Sequence, residues 1–225
     1  MLNSNFLQLK ESRRTAIQKS PLFSRDLELN REELTLIFGQ YWHLLAYFPD
    51  FLAHLITLLP KLEQKSAVAR ILSEELGNGN IQDAHEGAYF EAIRELGIDE
   101  NQIRNSTLLP STEAMMREYH SCATDRLKAL GYFASTEFAD LWIVSNLGRL
   151  MLNALPERKR VKWIDLHVTQ EPGHVTDAGQ SLKENVEAAE LPVIFQHAQN
   201  CATRWDDFFV GIYEAIQSDR LESVS

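Results

Sequence analysis

The chain has 225 residues, a length that predicts one domain or at most two small ones. Hydrophobic residues make up 44% and charged residues 24%, which is ordinary for a globular protein and excludes wholesale disorder. Acidic residues outnumber basic residues by 32 to 22, and the net charge of −10 argues against a nucleic acid or an anionic membrane surface as partner.

Cysteine content and hydropathy suggest where the chain resides. Two cysteines, Cys122 and Cys201, are too few for a disulfide scaffold, which favours a reducing, cytoplasmic location. The first residues lack the apolar run of a signal peptide. No run of about 18 uncharged apolar residues predicts a transmembrane helix, so we expect no membrane partner.

Helical spacing of apolar residues extends through nearly the whole chain, and alternation with a period of two is nowhere sustained. The predicted helical segments are 4–18, 31–47, 51–59, 62–76, 81–96, 112–130, 133–154, 157–171, 176–189 and 191–218. We expect a single all-α domain over residues 1–225, with seven to nine helices and a core over residues 31–215. The polar first helix is expected to be peripheral, and the tail 219–225 to be frayed.

Proline and glycine mark the predicted breaks between these helices. Pro49, followed by Asp50, predicts the end of the segment 31–47. Gly77 and Gly97 predict helix C-caps. Residues 98–111 have no clear period and predict the one long internal loop, a candidate lid over a functional site.

One predicted helix carries His167, Glu171 and His174 at positions i, i+4 and i+7. At about 100° per residue, these three side chains fall on one helix face. Two imidazoles and a carboxylate are a ligand set of non-haem iron. The alternative is a solvated polar face, which a single triplet of this kind does not exclude.

A second candidate pair spans the turn Gly77-Asn78-Gly79-Asn80. Glu74 and Glu75 stand near the end of the helix before the turn, and His85 lies early in the helix after it. Such a turn can bring a carboxylate and an imidazole to one point. Glu75 is the better candidate of the two acids because it lies nearer the turn, and a surface pair is the alternative.

The third candidate is Glu137, which lies in an apolar stretch. A carboxylate there is costly unless it is paired or bound to a cation. Thr136 and Asp140 flank it, so an exposed polar stripe is the alternative. Together the three segments offer three histidines and three carboxylates, a donor set that suits two metal ions.

The order Glu, His, Glu and then His-x3-(Asp or Glu)-x2-His resembles the haem-oxygenase-like di-iron oxidases. Glu74-Glu75-Leu76-Gly77 before His85, and Trp163-Ile164-Asp165-Leu166-His167, look similar to the branch that contains the chlamydial protein associating with death domains. That branch is related to thiaminase-type hydrolases and to the cofactorless oxidase of pyrroloquinoline quinone synthesis. The resemblance covers residues 31–215, and its specific part is confined to residues 75–174.

The resemblance implies a haem-oxygenase-like helical bundle with six metal ligands. They are Glu75, His85, Glu137, His167, Glu171 and His174. It implies two Fe ions, with a Mn/Fe pair as the alternative, and dioxygen as the co-substrate that oxidises a small organic substrate. The sequence does not indicate an electron donor.

The chain departs from the family pattern at two places. Glu171 stands where the family usually has aspartate, and the following Pro172-Gly173 is expected to kink the helix and move His174 off the ideal face. Thr136 stands where the p-aminobenzoate-forming members have tyrosine, which argues against a self-sacrificing tyrosine. Asp177 is a candidate partner for a ligand imidazole or a cap of the next helix.

The remaining expectations concern the substrate and the partners. Candidate walls of a substrate pocket are Tyr41, Tyr89, Phe90, Phe138 and Trp142. We expect a homodimer as the commonest assembly. One alternative function is a cofactorless oxidase or a thiaminase-type hydrolase on the same fold, although neither cysteine lies in a matching nucleophile motif. The other is a non-enzymatic interaction protein.

Overall fold

A computed structural model describes residues 4–169 and 186–223. Within these residues the regular structure is helical and contains no strand, which confirms the predicted all-α class. The helices are α1 (Ser4–Lys19), α2 (Arg31–Leu58), α3 (Leu62–Glu75), α4 (His85–Glu95), α5 (Glu100–Arg104), α6 (Pro110–Ser121), α7 (Arg126–Ala154), α8 (described over residues 162–169) and α9 (Leu191–Glu222). Single 3₁₀ turns lie at Pro21–Phe23, Ile81–Asp83 and Cys122–Thr124.

The longest packing surface joins α7 and α9. Every residue from Ala129 to Ala139 in α7 is buried, so this helix passes through the core. Gly131 lets α9 approach closely, because a Cβ at this position would lie 2.6 Å from the carbonyl oxygen of Ile194. One hydrophobic cluster includes buried residues from α1 and from both of these helices.

The first helix is more buried than the sequence predicts. Phe6, Leu9, Arg13 and Ile17 are buried in it. The Arg13 guanidinium lies 2.6 Å from a carboxylate oxygen of Asp206 and donates to the carbonyl of Ala202 at 3.0 Å. These contacts tie α1 to α9, so α1 is part of the packed body rather than a peripheral helix.

The predicted break at Pro49 is wrong, because α2 runs through it as one helix. A capping box starts the helix: the Asn30 side chain accepts from the Glu33 N–H, and the Glu33 carboxylate accepts from the Asn30 N–H. Proline has no N–H for the carbonyl of Leu45, which costs helix stability. Burial of apolar side chains beyond the proline, such as Phe51, offsets that cost.

The predicted long loop at 98–111 is also wrong, since it contains α5 and the start of α6. Its non-helical part is fixed to α2. The Gln40 side-chain amide donates to the carbonyl of Thr107 at 2.9 Å and accepts from the N–H of Leu109 at 2.9 Å. The Nε2 of His43 lies 2.9 Å from the Ser106 carbonyl oxygen. These hydrogen bonds hold the connection against α2, so the structure shows a packed segment where a lid was predicted.

Other helix boundaries also differ from the predicted ones. The break expected between 130 and 133 lies instead at 122–125, where Asp125 caps α7 by accepting from the N–H of Lys128. Residues 219–222, expected in a frayed tail, continue α9. Gly77 and Gly97 follow helix ends with φ of 80° and 70°, which confirms both predicted glycine caps. Among the described residues, no helix has both the length and the apolar character needed to span a membrane.

Candidate metal centre

A tight turn brings Glu75 and His85 together. Glu75 is the last residue of α3 and His85 is the first residue of α4. The turn requires glycine at Gly77, because its φ is 80° and a Cβ would lie 2.2 Å from the carbonyl oxygen of Asn80. As a result, the Nδ1 of His85 lies 2.8 Å from a carboxylate oxygen of Glu75.

The second imidazole comes from α8. Gly148 of α7 makes room for α8, because a Cβ there would lie 2.2 Å from the Cδ1 of Ile164. The rings of His167 and His85 then lie close together, with centroids 4.4 Å apart and planes tilted by 37°. The Nδ1 of His167 lies 2.8 Å from the carbonyl oxygen of Trp163. A carbonyl oxygen only accepts, so Nδ1 carries the proton and the Nε2 of the neutral ring carries the lone pair.

Helix α7 contributes the carboxylates of Glu137 and Asp140. Glu137 is 2% exposed, and Asp140 approaches with a carboxylate oxygen 3.8 Å from the Nε2 of His167. Burial lowers the pKa of His167 and the nearby His85 lowers it further, while Asp140 and Glu75 act in the opposite direction. The neutral imidazole favoured by this balance is the form that binds a metal ion.

These donors lie at a mostly apolar cavity, called the cavity below. It is lined by Tyr41, Leu44, Leu45, Tyr47, Phe48, Glu75, Tyr119, Thr136, Glu137, Asp140, His167 and Trp205. His85 lies instead on a polar groove, called the groove below, which shares Glu75 and Leu45 with the cavity. The charged residues of the groove, besides Glu75, are Glu86, Glu91, Arg94, Glu100, Arg104 and Lys162.

A family model of iron-containing redox enzymes matches residues 36–206 of the chain. The chain belongs to this family. A search of curated proteins finds no significant match to the chain.

Solved structures similar to this iron-containing redox family member confirm the haem-oxygenase-like fold predicted from the sequence. A CADD-like protein of unknown function from Nostoc punctiforme PCC 73102 aligns with a TM-score of 0.77 at 13% identity, covering 95% of this chain and 99% of that one. A domain of unknown function with a haem-oxygenase-like fold from Shewanella denitrificans OS217 aligns with a TM-score of 0.75 at 14% identity, covering 95% and 92%.

The donor set fits the iron of this family in its chemistry. Imidazole nitrogen and carboxylate oxygen are the ligands that non-haem iron takes. The side chains are not pre-arranged as a complete site: within residues 4–169 and 186–223, no three His, Cys, Asp or Glu side chains form a group that could hold a metal. The predicted ligands Glu171 and His174, and the predicted partner Asp177, lie outside the described residues.

The structure also distinguishes Glu74 from Glu75 at the end of α3. Glu75 lines both the cavity and the groove, and it contacts His85, whereas Glu74 lines neither. The geometry thus favours Glu75 over its neighbour, and its role as a metal ligand stays a prediction.

The five predicted wall residues fall in different places. Tyr41 lines the cavity and Phe90 lines the groove. The remaining three line neither and need correction. Tyr89 is fully buried and donates to the carbonyl of Phe38. Phe138 faces Phe6 on α1 and Trp142 lies near Lys10, because each points away from the helix face that carries Glu137 and Asp140.

Eight residues of the cavity were not among the predicted ligands and wall residues. They are Leu44, Leu45, Tyr47, Phe48, Tyr119, Thr136, Asp140 and Trp205. A signal existed for Asp140, which follows Glu137 by three positions and therefore shares its helix face. No comparable signal marks Tyr119 or Trp205, because their place on the wall depends on how α6 and α9 pack against α7.

Both cysteines lack the character of a nucleophile. Cys122 and Cys201 are buried free thiols. Burial raises the pKa of Cys122 to about 12 and that of Cys201 to about 11. A thiaminase-type hydrolase needs a reactive thiolate, and a raised thiol pKa works against one. The structure therefore speaks against the hydrolase alternative.

Proposed function

We propose that this iron-containing redox family member is a non-haem di-iron oxidase or oxygenase that uses dioxygen to oxidise a small organic molecule. One observation carries the proposal. The rings of two buried histidines, His85 and His167, lie with centroids 4.4 Å apart beside carboxylates, next to an apolar cavity. Imidazole and carboxylate donors beside a pocket for a small molecule are what such an enzyme requires.

The ligands of the proposed pair are the six that the family resemblance implies. The described ones are Glu75, His85, Glu137 and His167, and Asp140 is a further carboxylate within reach of His167. Glu171 and His174 would complete the set. When bound, the iron pair supplies the electrons and open coordination positions with which dioxygen is activated. A Mn/Fe pair would use the same donors.

The chain itself orients the donors and keeps water away from them. The Trp163 carbonyl fixes the His167 ring through Nδ1, so that Nε2 is presented as the donor atom. Leu44, Leu45 and Phe48 give the cavity apolar walls. Such walls favour an organic substrate over bulk water and strengthen the electrostatic interactions inside.

The other functions receive less support. The buried cysteines of raised pKa speak against a hydrolase. A cofactorless oxidase would use the same cavity, but it has no need of the buried carboxylate of Glu137 that lines it. A cytoplasmic location, a homodimer and a separate electron donor belong to the proposal, and so does the absence of a nucleic-acid partner.

The test is dioxygen uptake by anaerobically reduced protein loaded with ferrous ion. We expect a transient uptake by the unmodified chain and its loss in His167→Ala. The matched control is His54→Ala, because His54 is an exposed histidine of α2 and lines neither the cavity nor the groove. Equal uptake by His167→Ala and the control, or uptake without iron, would contradict the proposal.

A further inference from the structure

Trp205 of α9 is a cavity residue that the metal chemistry does not use. Its side chain lines the cavity and is 3% exposed. The ring packs against Phe208 and Phe209, each at a centroid distance of 5.6 Å. Its Nε1–H is buried and has no hydrogen-bond acceptor among the residues that the structure describes.

A buried donor without an acceptor is destabilising, because it loses its hydrogen bond to water and gains nothing in return. A phenylalanine would fill the same aromatic position without that cost. Trp163 also has a buried Nε1 with no acceptor within the described ranges, but it does not line the cavity and is surrounded by the rings of Tyr41, Tyr89 and His167. Trp205 differs in its location, since its ring borders the space that a ligand would enter.

The charge of the cavity restricts that ligand. Glu75, Glu137 and Asp140 line it, and among the described residues neither Lys nor Arg does. In the metal-free chain, an anionic ligand would meet like charge with no cation to offset it. The groove is different, because Arg94, Arg104 and Lys162 line it. An apolar wall with a spare indole donor therefore suits a neutral molecule.

We propose that the cavity binds a neutral, mainly apolar molecule with a ring or a branched hydrocarbon frame, and that one carbonyl-type oxygen of this molecule accepts a hydrogen bond from the Nε1–H of Trp205. The proposal rests on the proposed function in one respect, since this molecule is the substrate that the enzyme would oxidise. Trp205 is thus a specificity residue. Binding itself requires no metal and is tested separately.

The experiment compares three probes of the same size on metal-free, full-length protein. Acetophenone offers a carbonyl acceptor, ethylbenzene lacks one, and benzoate carries a negative charge. Protein labelled with ¹⁵N gives one indole N–H signal for each of its four tryptophans. The signal missing from Trp205→Phe identifies Trp205. Trp142→Phe is the matched control, because it removes an indole N–H from α7 that does not line the cavity.

We expect acetophenone to move the Trp205 indole signal downfield, and ethylbenzene to leave its proton shift nearly unchanged. Trp205→Phe should bind acetophenone about three- to tenfold more weakly, which corresponds to one neutral hydrogen bond, and should bind ethylbenzene as before. Trp142→Phe should bind both like the unmodified chain. Benzoate should bind at least about tenfold more weakly than acetophenone.

Equal acetophenone affinity in Trp205→Phe and the unmodified chain would overturn the proposal, as would preferential binding of benzoate. If Trp205→Phe fails to fold, the unmodified chain still decides the matter: an acetophenone-specific downfield shift of one indole signal, unaltered in Trp142→Phe, supports the proposal, and no such shift overturns it. Iron binding with no probe selectivity would remove this inference alone. Selectivity without iron binding would remove the proposed function alone.

Discussion

The cavity and the groove meet at Glu75 and Leu45, yet they balance charge in different ways. In the groove, acids are paired with arginine: the Arg104 guanidinium lies 2.8 Å from carboxylates of both Glu86 and Glu100. In the cavity, carboxylates accumulate beside imidazoles, and within the described residues neither Lys nor Arg lines it.

This difference indicates where the chemistry lies. Ion pairs at an exposed groove stabilise modestly and join α4 to α5. Carboxylates at a cavity without such cations need protons, imidazolium or a metal ion to offset their charge. Burial lowers the pKa of His167, which works against the imidazolium. In the proposed function, a metal ion balances the charge of the cavity.

The largest effect is expected from removing a carboxylate of the cavity rather than one of the groove. Glu137→Ala should abolish stoichiometric iron binding, because it deletes a buried, proposed ligand. Glu86→Ala is the matched control, since Glu86 directly follows His85 but belongs to the groove. Iron content after anaerobic loading and desalting measures both. Retention of iron by Glu137→Ala would contradict the claim that the carboxylates of the cavity, and not those of the groove alone, bind iron.

The next largest effect is expected in the alkylation rate of the buried thiol of Cys201. The pKa of Cys201 rises from 9.0 to about 11, so at pH 8 its thiolate fraction falls about 100-fold. We therefore expect alkylation by iodoacetamide at pH 8 to be at least about 100-fold slower in the folded chain than in urea. Mass spectrometry of timed samples measures the rate. Rapid labelling of Cys201 in the folded chain would revive the hydrolase alternative.

Glu75 lines both the cavity and the groove. Glu75→Ala should weaken iron binding by at least about tenfold, since it removes a proposed ligand and the 2.8 Å contact with His85. Glu74→Ala removes the neighbouring carboxylate and should bind iron like the unmodified chain. Titration with ferrous ion under anaerobic conditions compares the two. Equal losses in both variants would show that general charge, not position, controls binding.

The smallest effect on stability and on iron binding is expected from a substitution in the groove. The Arg104 guanidinium lies over the ring of Phe90, 4.0 Å from its centroid, and is paired with Glu86 and Glu100. Because Arg104 is partly exposed, Arg104→Ala should lower the free energy of unfolding by only about 1 kcal/mol and leave iron binding unchanged. Urea unfolding measures the first and iron content the second. Loss of iron in this variant would show that Arg104, and not only the groove residues Glu75 and His85, controls iron binding.

Local sequence rules predicted the helices and the donors that lie close in sequence. The glycine caps at Gly77 and Gly97 follow from backbone freedom, and Gly77 fixes the turn that joins Glu75 to His85. The rules failed at Pro49, where burial of the following apolar face outweighs the proline penalty. They failed at 98–111, where Gln40 supplies hydrogen bonds from a distant helix.

The wall of the cavity was the least predictable part. Glu137 was identified from its apolar surroundings, but Trp205 and Tyr119 come from helices whose crossing is set by close contacts such as Gly131 with Ile194. Periodicity gives the face of a helix and not its neighbours. For the same reason, Phe138 and Trp142 were expected on the wrong side of α7.

The most direct test of the central claim is the iron content of the full chain. The protein is loaded with ferrous ion without oxygen, desalted, and measured by atomic emission against its concentration. The account predicts about two irons per chain. A folded chain that retains no iron, or only one per chain, would contradict the di-iron centre.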